Sequence, residues 1–273
     1  MDTSTRNGFI DALGKEHPPA SGTVRIVSLV PSITELLFSL GLQEHLVGRT
    51  GFCIHPKAHV RRVAKVGGTK TVDVARIRQL GATHLVVNVD ENPRPVVEEL
   101  AAVVPNIIVT HPIQPEDNLG LYRLLGGIFG REARAAELCA AFSRELEATR
   151  TFAAGLARER VLYLIWKSPW MTVSRDTYIS RMLDLVGWDT VPAQALSRYP
   201  AVSLEAASMT DVDRVLLSSE PYSFVERHVV ALRAELPPAC DPRIDLIDGG
   251  MTSWYGSRAI DGLRYLRELR AAV

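Results

Sequence analysis

The 273-residue sequence predicts an α/β protein with two similar lobes of parallel sheet, joined by one long helix. Short β-branched runs alternate with stretches of helical periodicity at both ends of the chain, a pattern typical of parallel sheets covered by helices. Residues 131–159 are rich in Ala, Leu, Glu and Arg, which form helices well. The pattern also repeats, because His84–Asn88 falls into register with Arg214–Ser218 at one fixed offset between the two halves.

The first lobe is predicted to cover 23–114, after a polar N-terminal tail over 1–22. It begins with a short buried strand, and the helix that follows carries two boundary signals. Ser32 and Glu35 match the S-x-x-E capping box, and Gly41 is placed to end the helix. The predicted elements are strands at 23–30, 83–89 and 106–111, and helices at 31–41, 73–81 and 93–104.

The middle of the chain, 115–159, is predicted to be helical. A pair of glycines, Gly126 and Gly127, predicts a break before the long helix at 131–159. The alternation of strand and helix resumes in the second lobe, 160–273. Its predicted elements are strands at 160–166, 213–219 and 243–248, and helices at 176–187, 223–236 and 257–272.

Charge balance and hydropathy exclude several classes of partner. Lys plus Arg and Asp plus Glu both number 31, so the formal net charge is zero. Nucleic acids and anionic membranes select basic surfaces, so neither is expected as the main partner. No run approaches the ~18 apolar residues of a membrane span, so we expect no membrane insertion. We expect a monomer.

The cysteines and the N-terminal sequence bear on location. Cys53, Cys139 and Cys240 are odd in number and widely spaced, which is not a disulfide framework and favours a reducing compartment. The first 22 residues lack the basic and apolar regions of a signal peptide. The chain as it stands is therefore expected in the cytoplasm, or in the periplasm if a leader has been removed.

Candidate ligand contacts lie on loops that follow the predicted strands, where open α/β sheets bind ligands. Aromatic side chains on these loops suit a large or flat ligand, and Lys70, Lys167 and Arg175 could meet its anionic edges. The aromatic candidates are Phe52, Trp166, Trp170, Tyr222, Trp254 and Tyr255. The polar candidates are Cys53, His55, Lys70, Asn88, Glu91, Lys167, Arg175 and Glu220.

The stretch "TGFCIHP" (50–56) places a thiol and an imidazole two residues apart. In an extended chain, Cys53 and His55 face one side, while Phe52 and Ile54 face the other. Three interpretations are open: half of a metal site, a catalytic pair, or two unrelated loop residues. A structural metal site needs about four ligands, so His55 is a candidate for an axial contact to a metal that is already chelated.

No catalytic motif is present, since both G-x-S-x-G and G-x-G-x-x-G are absent, and we expect neither an enzyme nor an enzyme cofactor. Three segments carry a resemblance that covers about 23–271: "RIVSLVPSITELLFSLGLQEHLVGRTGFCIHP", "VAKVGGTKTVDVARIRQLGATHLVV" and "YLIWKSPWMTVSRDTYISRMLDLVGW". With the long helix, they resemble the class III substrate-binding proteins of metal-chelate ABC transporters, the helical-backbone metal receptors. They are most similar to the vitamin B12-binding branch.

The resemblance implies two Rossmann-like lobes, a rigid connecting helix and non-catalytic binding of a cobalamin-like corrinoid or a ferric siderophore in the cleft between the lobes. It implies that an aromatic residue, here Phe52, packs on the ligand. It also implies one docking glutamate on each lobe for an ABC permease. Glu205 matches the second-lobe position, but the first-lobe position holds Ala75.

The sequence is also compatible with two other functions. One is a cytosolic chelatase or metal-handling enzyme on the same scaffold, which would use His55 with Glu91 or Glu220. The other is an intracellular carrier or sensor that passes the ligand to a protein partner.

Overall fold

The computed structural model describes residues 9–193, 195–205 and 209–272. Within them the chain forms two compact units. Unit 1 contains the chain up to Pro112, Glu116–Ala141 and Tyr255–Ser257, and unit 2 contains Ile113–Pro115, Phe142–Trp254 and the chain from Arg258 onward. None of the helices described is both long enough and apolar enough to cross a membrane.

Unit 1 is built on a parallel sheet with helices between the strands. Its strands are a short antiparallel hairpin, β1 (Phe9–Ile10) and β2 (Glu16–His17), and the sheet strands β3 (Ile26–Ser28), β4 (Leu46–Arg49), β5 (Ala64–Lys65), β6 (His84–Asn88) and β7 (Asn106–Thr110). The sheet order is β5-β4-β3-β6-β7, with parallel neighbours throughout. Its helices are α1 (Pro31–Ser39), α2 (Lys57–Val60), α3 (Val74–Gln79), α4 (Arg94–Ala101) and α5 (Asp117–Ile128).

Helix α6 (Glu132–Ala153) contributes residues to both units, and unit 2 follows it with a second parallel sheet. The strands of unit 2 are β8 (Glu159–Leu164), β9 (Trp188–Thr190), β10 (Arg214–Ser218) and β11 (Arg243–Ile247), in the order β11-β10-β8-β9. Its helices include α7 (Tyr178–Asp184), α8 (Glu226–Glu235), α9 (Gly249–Ser253) and α10 (Arg258–Ala271).

Apart from the additional edge strand β5 of unit 1, the two sheets share one strand order, which confirms the internal repeat. In unit 1, β4 and then β5 lie on one side of β3, while β6 and then β7 lie on the other side. In unit 2, β9 lies on one side of β8, while β10 and then β11 lie on the other side. Strands β6 and β10, each next to the first strand of its sheet, are the two segments that the sequence places in register. Each sheet has its own apolar core, with Leu85 and Val87 in unit 1 and Val215 and Leu217 in unit 2 among its buried residues.

Two predicted helix boundaries are wrong. Helix α1 begins at Pro31 with Val30 as its N-cap and no side-chain cap, so Ser32 already lies inside the first turn and the capping box does not form. Helix α5 runs through Gly126 and Gly127 without a break. A Cβ at Gly126 would lie 2.5 Å from Cβ of Ala135, so close packing against α6 explains this glycine.

Other boundaries are closer to the prediction. Gly41 has a φ of +75° directly beyond α1, as a helix-ending glycine should. The long helix ends at Ala153 and not at 159 as predicted, and Glu159 already belongs to β8. The strands predicted at 83–89 and 213–219 are present as β6 and β10.

The part of the predicted polar tail that the structure describes is folded. Asp11 and His17 are both buried, and their side chains lie 3.0 Å apart across the hairpin. Oδ2 of Asp11 also accepts the backbone N–H of Val109 at 3.1 Å, and the N–H of Ala12 donates to the Val109 carbonyl at 3.0 Å. The hairpin is therefore docked on β7 by both backbone groups of one residue.

Candidate functional site

The candidate residues lie mainly on loops at the carboxyl ends of the two sheets. In unit 1 these loops are 50–56 after β4, 66–73 after β5 and 89–93 after β6. In unit 2 they are 165–177 after β8 and 219–225 after β10. Parallel strands place such loops at one edge of their sheet, which is where ligands bind in open α/β folds.

The loop after β4 has an exposed aromatic tip and a buried anchor. Phe52 is 63% exposed and Ile54 is 52% exposed, while Cys53 between them is fully buried. Thr34 donates its hydroxyl to Sγ of Cys53 at 3.1 Å, and Oγ1 of Thr50 lies 3.2 Å from the same sulfur. Burial raises the pKa of the Cys53 thiol, which keeps it protonated.

The alternation predicted for "TGFCIHP" therefore holds for three residues, with Phe52 and Ile54 outward and Cys53 inward. Cys53 has no exposed surface with which to contact a ligand, and it anchors the loop instead. His55 is half-buried. Within the described ranges, no three His, Cys, Asp or Glu side chains are grouped so that they could hold a metal ion, so an axial role for His55 stays a prediction.

The loop after β5 lies beside Phe52. A Cβ at Gly68 would lie 3.4 Å from Cε2 of Phe52, which is an ordinary contact distance and shows how near the two loops are. Gly67 has a φ of +104°, which favours glycine, and it carries the turn that brings Gly68 into place. Lys70, near the end of this turn, is exposed. Phe52 and Lys70 thus belong to adjoining loops.

At the end of β6, Asn88 and Glu91 have internal partners. Oδ1 of Asn88 accepts the backbone N–H of Asp90 at 2.8 Å, so this buried side chain shapes its own turn. Tyr255 donates its hydroxyl to Oε1 of Glu91 at 2.8 Å. Burial, together with the neighbouring Glu91 carboxylate, raises the pKa of Tyr255 well above its ordinary value, so it remains a phenol. Both contacts order the loop from within unit 1.

In unit 2 the aromatic candidates form a cluster with the loop after β10. The rings of Trp166 and Tyr222 meet edge to face with centroids 5.6 Å apart, and Trp166 is 41% exposed. Trp170 stacks on Phe224 at 6.0 Å, and Phe224 is buried. Trp166 therefore has ring surface open to a ligand, whereas Trp170 packs on the core of unit 2.

His228 packs against the aromatic cluster of unit 2. The backbone N–H of Val225 donates to Nδ1 of His228 at 2.9 Å, which requires that nitrogen to be unprotonated. Its ring lies edge to face against Tyr222 and Phe224. Burial and the nearby cations of Arg227 and Lys167 lower the pKa of His228, so the neutral form that suits the Val225 contact is favoured.

The remaining candidates of unit 2 are engaged in polar contacts. Lys167 pairs with Glu235 at 3.0 Å, and its Nζ lies 4.8 Å from the centre of the Trp170 ring. Oε2 of Glu235 also accepts the indole N–H of Trp170 at 3.2 Å. These contacts hold the loop after β8 against the C-terminal end of α8.

Glu220 and Trp254 form a direct contact. The Trp254 indole donates to Oε1 of Glu220 at 2.6 Å, and the hydroxyl of Ser253 donates to the same oxygen at 3.1 Å. The guanidinium of Arg258 lies 4.7 Å from the centre of the Trp254 ring. Glu220 and Trp254 are both half-buried.

The last two candidates of unit 2 are Arg175 and Glu205, and Glu205 lines a surface pocket together with Trp170 and Glu235. Arg175 pairs with Asp189 at 3.1 Å, and Asp189 is in register with Arg160 near the start of β8, so Arg175 reaches toward the amino end of the sheet. Glu205 is exposed, and its backbone N–H bonds to the Ser203 hydroxyl at 3.2 Å. The predicted roles of both residues stay predictions.

Several residues that shape the loops had not been singled out from the sequence. Thr34 and Thr50 hold the buried thiol, His228 supports the aromatic cluster, and Arg258 covers Trp254. Thr34 lies in a different segment from Cys53, so no local pattern links the two. Local spacing does link Thr50 to Cys53, three residues apart, and Trp254 to Arg258, four residues apart.

The chain is similar to known proteins both in sequence and in fold. The sequence model of the family described as "Periplasmic binding protein" matches residues 26–231. The vitamin B12-binding protein of Yersinia pestis (strain Pestoides F) is 24% identical over 208 residues, which are 76% of this chain and 74% of that protein.

Two solved structures illustrate the likeness. The periplasmic vitamin B12 binding protein BtuF of Vibrio cholerae superposes with a TM-score of 0.78 at 18% identity, covering 91% of this chain and 96% of that one. The periplasmic heme-binding protein RhuT from Roseiflexus sp. RS-1, in apo form, has a TM-score of 0.78 at 22% identity, covering 92% and 98%.

Proposed function

The chain belongs to the periplasmic binding protein family, and we propose that it is a receptor for a bulky metal chelate, either a corrinoid of the cobalamin type or another chelate such as haem or a ferric siderophore. The family is one of binding proteins and not of enzymes, so the chelatase alternative has no support from it. The similar proteins from Yersinia, Vibrio and Roseiflexus bind vitamin B12 or heme, which supports this class of ligand.

The observation that carries the proposal is the placement of exposed aromatic rings on carboxyl-end loops of both units. Phe52 in unit 1 and Trp166 in unit 2 are large apolar side chains with 63% and 41% of their surface open. A macrocyclic or aryl chelate offers broad apolar faces, and aromatic side chains supply contact area at low entropic cost. Lys70 is the exposed cation on the loop beside Phe52, and it suits an anionic substituent.

The location is part of the same proposal. The family description is periplasmic, and it gives no support to the cytoplasmic location expected from the sequence. We propose that the chain acts in the periplasm as a monomer and passes its ligand to an ABC permease. Fractionation of cells that express the untagged natural gene tests this: recovery in the cytoplasm contradicts it.

Ligand binding is tested by titrating the purified chain with cyanocobalamin, haemin and a ferric hydroxamate while tryptophan emission is recorded. We expect saturable quenching by one of the three, and weaker binding when Phe52 or Trp166 is replaced by Ala. Val230→Ala is the matched control, because Val230 is 67% exposed on α8 and away from the loops. Absence of saturable quenching by any of the three chelates would contradict the proposal.

A further inference from the structure

We propose that Glu220 is a positioning residue, which fixes the orientation of the Trp254 indole for ligand binding and does not itself contact the ligand. The inference rests on the proposed function. It assigns Glu220 a different role from the direct ligand contact that the sequence predicts.

A hydrogen bond to Glu220 holds the N–H edge of the Trp254 indole. Trp254 has one polar side-chain atom, Nε1, and its N–H donates to Oε1 of Glu220 at 2.6 Å. A bond from a neutral donor to a carboxylate is shorter and stronger than one between neutral groups. The Ser253 hydroxyl donates to the same oxygen at 3.1 Å. The carboxylate thus binds two successive residues at the end of α9.

Contacts with Gly249 and Ser218 hold the loop that carries the Glu220 carboxylate. A Cβ at Gly249 would lie 2.6 Å from Cγ of Glu220 and 3.0 Å from its backbone nitrogen. The loop after β10 and the start of α9 are therefore in direct contact, and glycine is required there. The hydroxyl of Ser218 donates to the Glu220 carbonyl at 2.7 Å, which closes the turn that carries the side chain.

Two groups of opposite charge contact the Trp254 indole, Arg258 at the ring face and Glu220 at the N–H edge. The Arg258 guanidinium lies 4.7 Å from the ring centre, within the range of a cation–π contact, while the Glu220 carboxylate holds the ring edge. A cation over the ring and an anion at its N–H polarise the indole in the same sense. Since Trp254 is only half-buried, the ring keeps surface that a ligand could meet in this fixed orientation.

Two substitutions separate positioning from direct contact. In Glu220→Gln the side chain keeps an oxygen that can accept the indole N–H but loses its charge. In Glu220→Ala the acceptor is lost and the ring is released. If Glu220 acts through Trp254, E220Q retains chelate affinity within about threefold, whereas E220A weakens it about tenfold, a loss of about 1.4 kcal/mol.

A double-mutant cycle with Trp254→Ala completes the test. Because the two residues would act as one unit, E220A/W254A should bind the chelate no more weakly than W254A alone. The tryptophan emission spectrum of the free protein should also change in E220A and not in E220A/W254A relative to W254A. Glu226→Ala is the matched control, since Glu226 is exposed at the start of α8. Thermal unfolding of each variant identifies one that has failed to fold.

The outcomes distinguish the two proposals. Equal losses in E220Q and E220A, or additive losses in the double variant, would overturn the positioning role while leaving chelate binding intact. Failure of the proposed function shows instead as no saturable quenching by any chelate in the unsubstituted chain. Rescue by E220Q, together with non-additivity, supports the inference.

Discussion

The carboxyl-end loops of unit 2 are joined by contacts between aromatic side chains, whereas the aromatic loop of unit 1 combines an exposed ring with a buried cysteine. In unit 2, Phe224 is buried beneath Trp170 and Tyr222, and His228 supports them. In unit 1, Cys53 holds the loop inward, while Phe52 projects into solvent.

Because of this difference, we expect substitutions in the aromatic cluster of unit 2 to affect stability and substitutions at Phe52 in unit 1 to affect ligand binding. A ring that is buried against other rings contributes to the core, so its removal costs unfolding free energy. A ring that is largely exposed contributes little to folding and is available to a ligand. The aromatic cluster of unit 2 is therefore part of the core, whereas Phe52 at the tip of the unit 1 loop is expected to contribute little to stability.

The largest expected effect is on the stability of unit 2. Replacing Phe224, which is 3% exposed, by Ala should lower the free energy of unfolding by about 3–5 kcal/mol, because it removes a buried ring and leaves a cavity. Urea denaturation followed by circular dichroism measures the change. A loss below about 1 kcal/mol would mean that the cluster is not part of the core.

Phe52→Ala should show the reverse behaviour. We expect stability to stay within about 0.5 kcal/mol, because the side chain is 63% exposed. Chelate affinity should fall about tenfold, which corresponds to about 1.4 kcal/mol of lost contact. Ile54→Ala is the control for a general loss of apolar surface on the same loop. A large loss of stability with unchanged affinity would reverse the assigned roles of the two aromatic loops.

A smaller effect is expected from pH. Burial lowers the pKa of His228 in unit 2 and of His84 in unit 1, so the unfolded chain takes up a proton more readily than the folded one. Their stabilising contribution is complete above the ordinary histidine pKa of about 6.5 and is lost progressively as the pH falls below it.

Urea denaturation at pH 8 and pH 5.5 tests whether stability falls as the pH is lowered. We expect a lower free energy of unfolding at pH 5.5, and a smaller difference between the two pH values in His228→Gln. His84→Gln provides the equivalent measurement for unit 1. Greater stability at pH 5.5 than at pH 8 would contradict the argument.

The smallest expected effect concerns permease docking. Glu205 is exposed in unit 2, while Ala75, at the sequence-predicted equivalent position on α3, is exposed and uncharged. An exposed ion pair contributes ~0.2–1 kcal/mol, so Glu205→Ala should reduce ligand transfer to the cognate permease by about twofold to fivefold. Ala75→Glu should raise transfer by a similar factor, and Glu147→Ala, an exposed site on α6, is the control. Unchanged transfer in E205A would exclude the docking role.

Most of the fold could be predicted because strands of one parallel sheet carry local signals. The β-branched runs at His84–Asn88 and Arg214–Ser218 are both strands, and Gly41 does end its helix. Long-range packing explains the error at Gly126. Gly126 lies inside α5 because Ala135 of α6 packs against it, and this contact leaves no mark in the local sequence.

The candidate site was predicted less completely, because a loop sequence shows which side chains are present but not where they point. Phe52 and Trp166 are exposed on carboxyl-end loops, as expected of ligand contacts. Cys53 is turned inward by Thr34, a residue of a distant helix, and Arg175 is drawn to Asp189. These partners come together only after the chain has folded.

The docking of the N-terminal hairpin has a practical consequence for β7. This strand is the outer member of its sheet, and its Val109 has both backbone groups bound by Asp11 and Ala12. An uncovered outer strand is a template for pairing with another molecule, and it promotes self-association. A chain shortened to begin at residue 18 would uncover this edge and lose the buried Asp11–His17 pair, so aggregation is the first hazard of such a truncation.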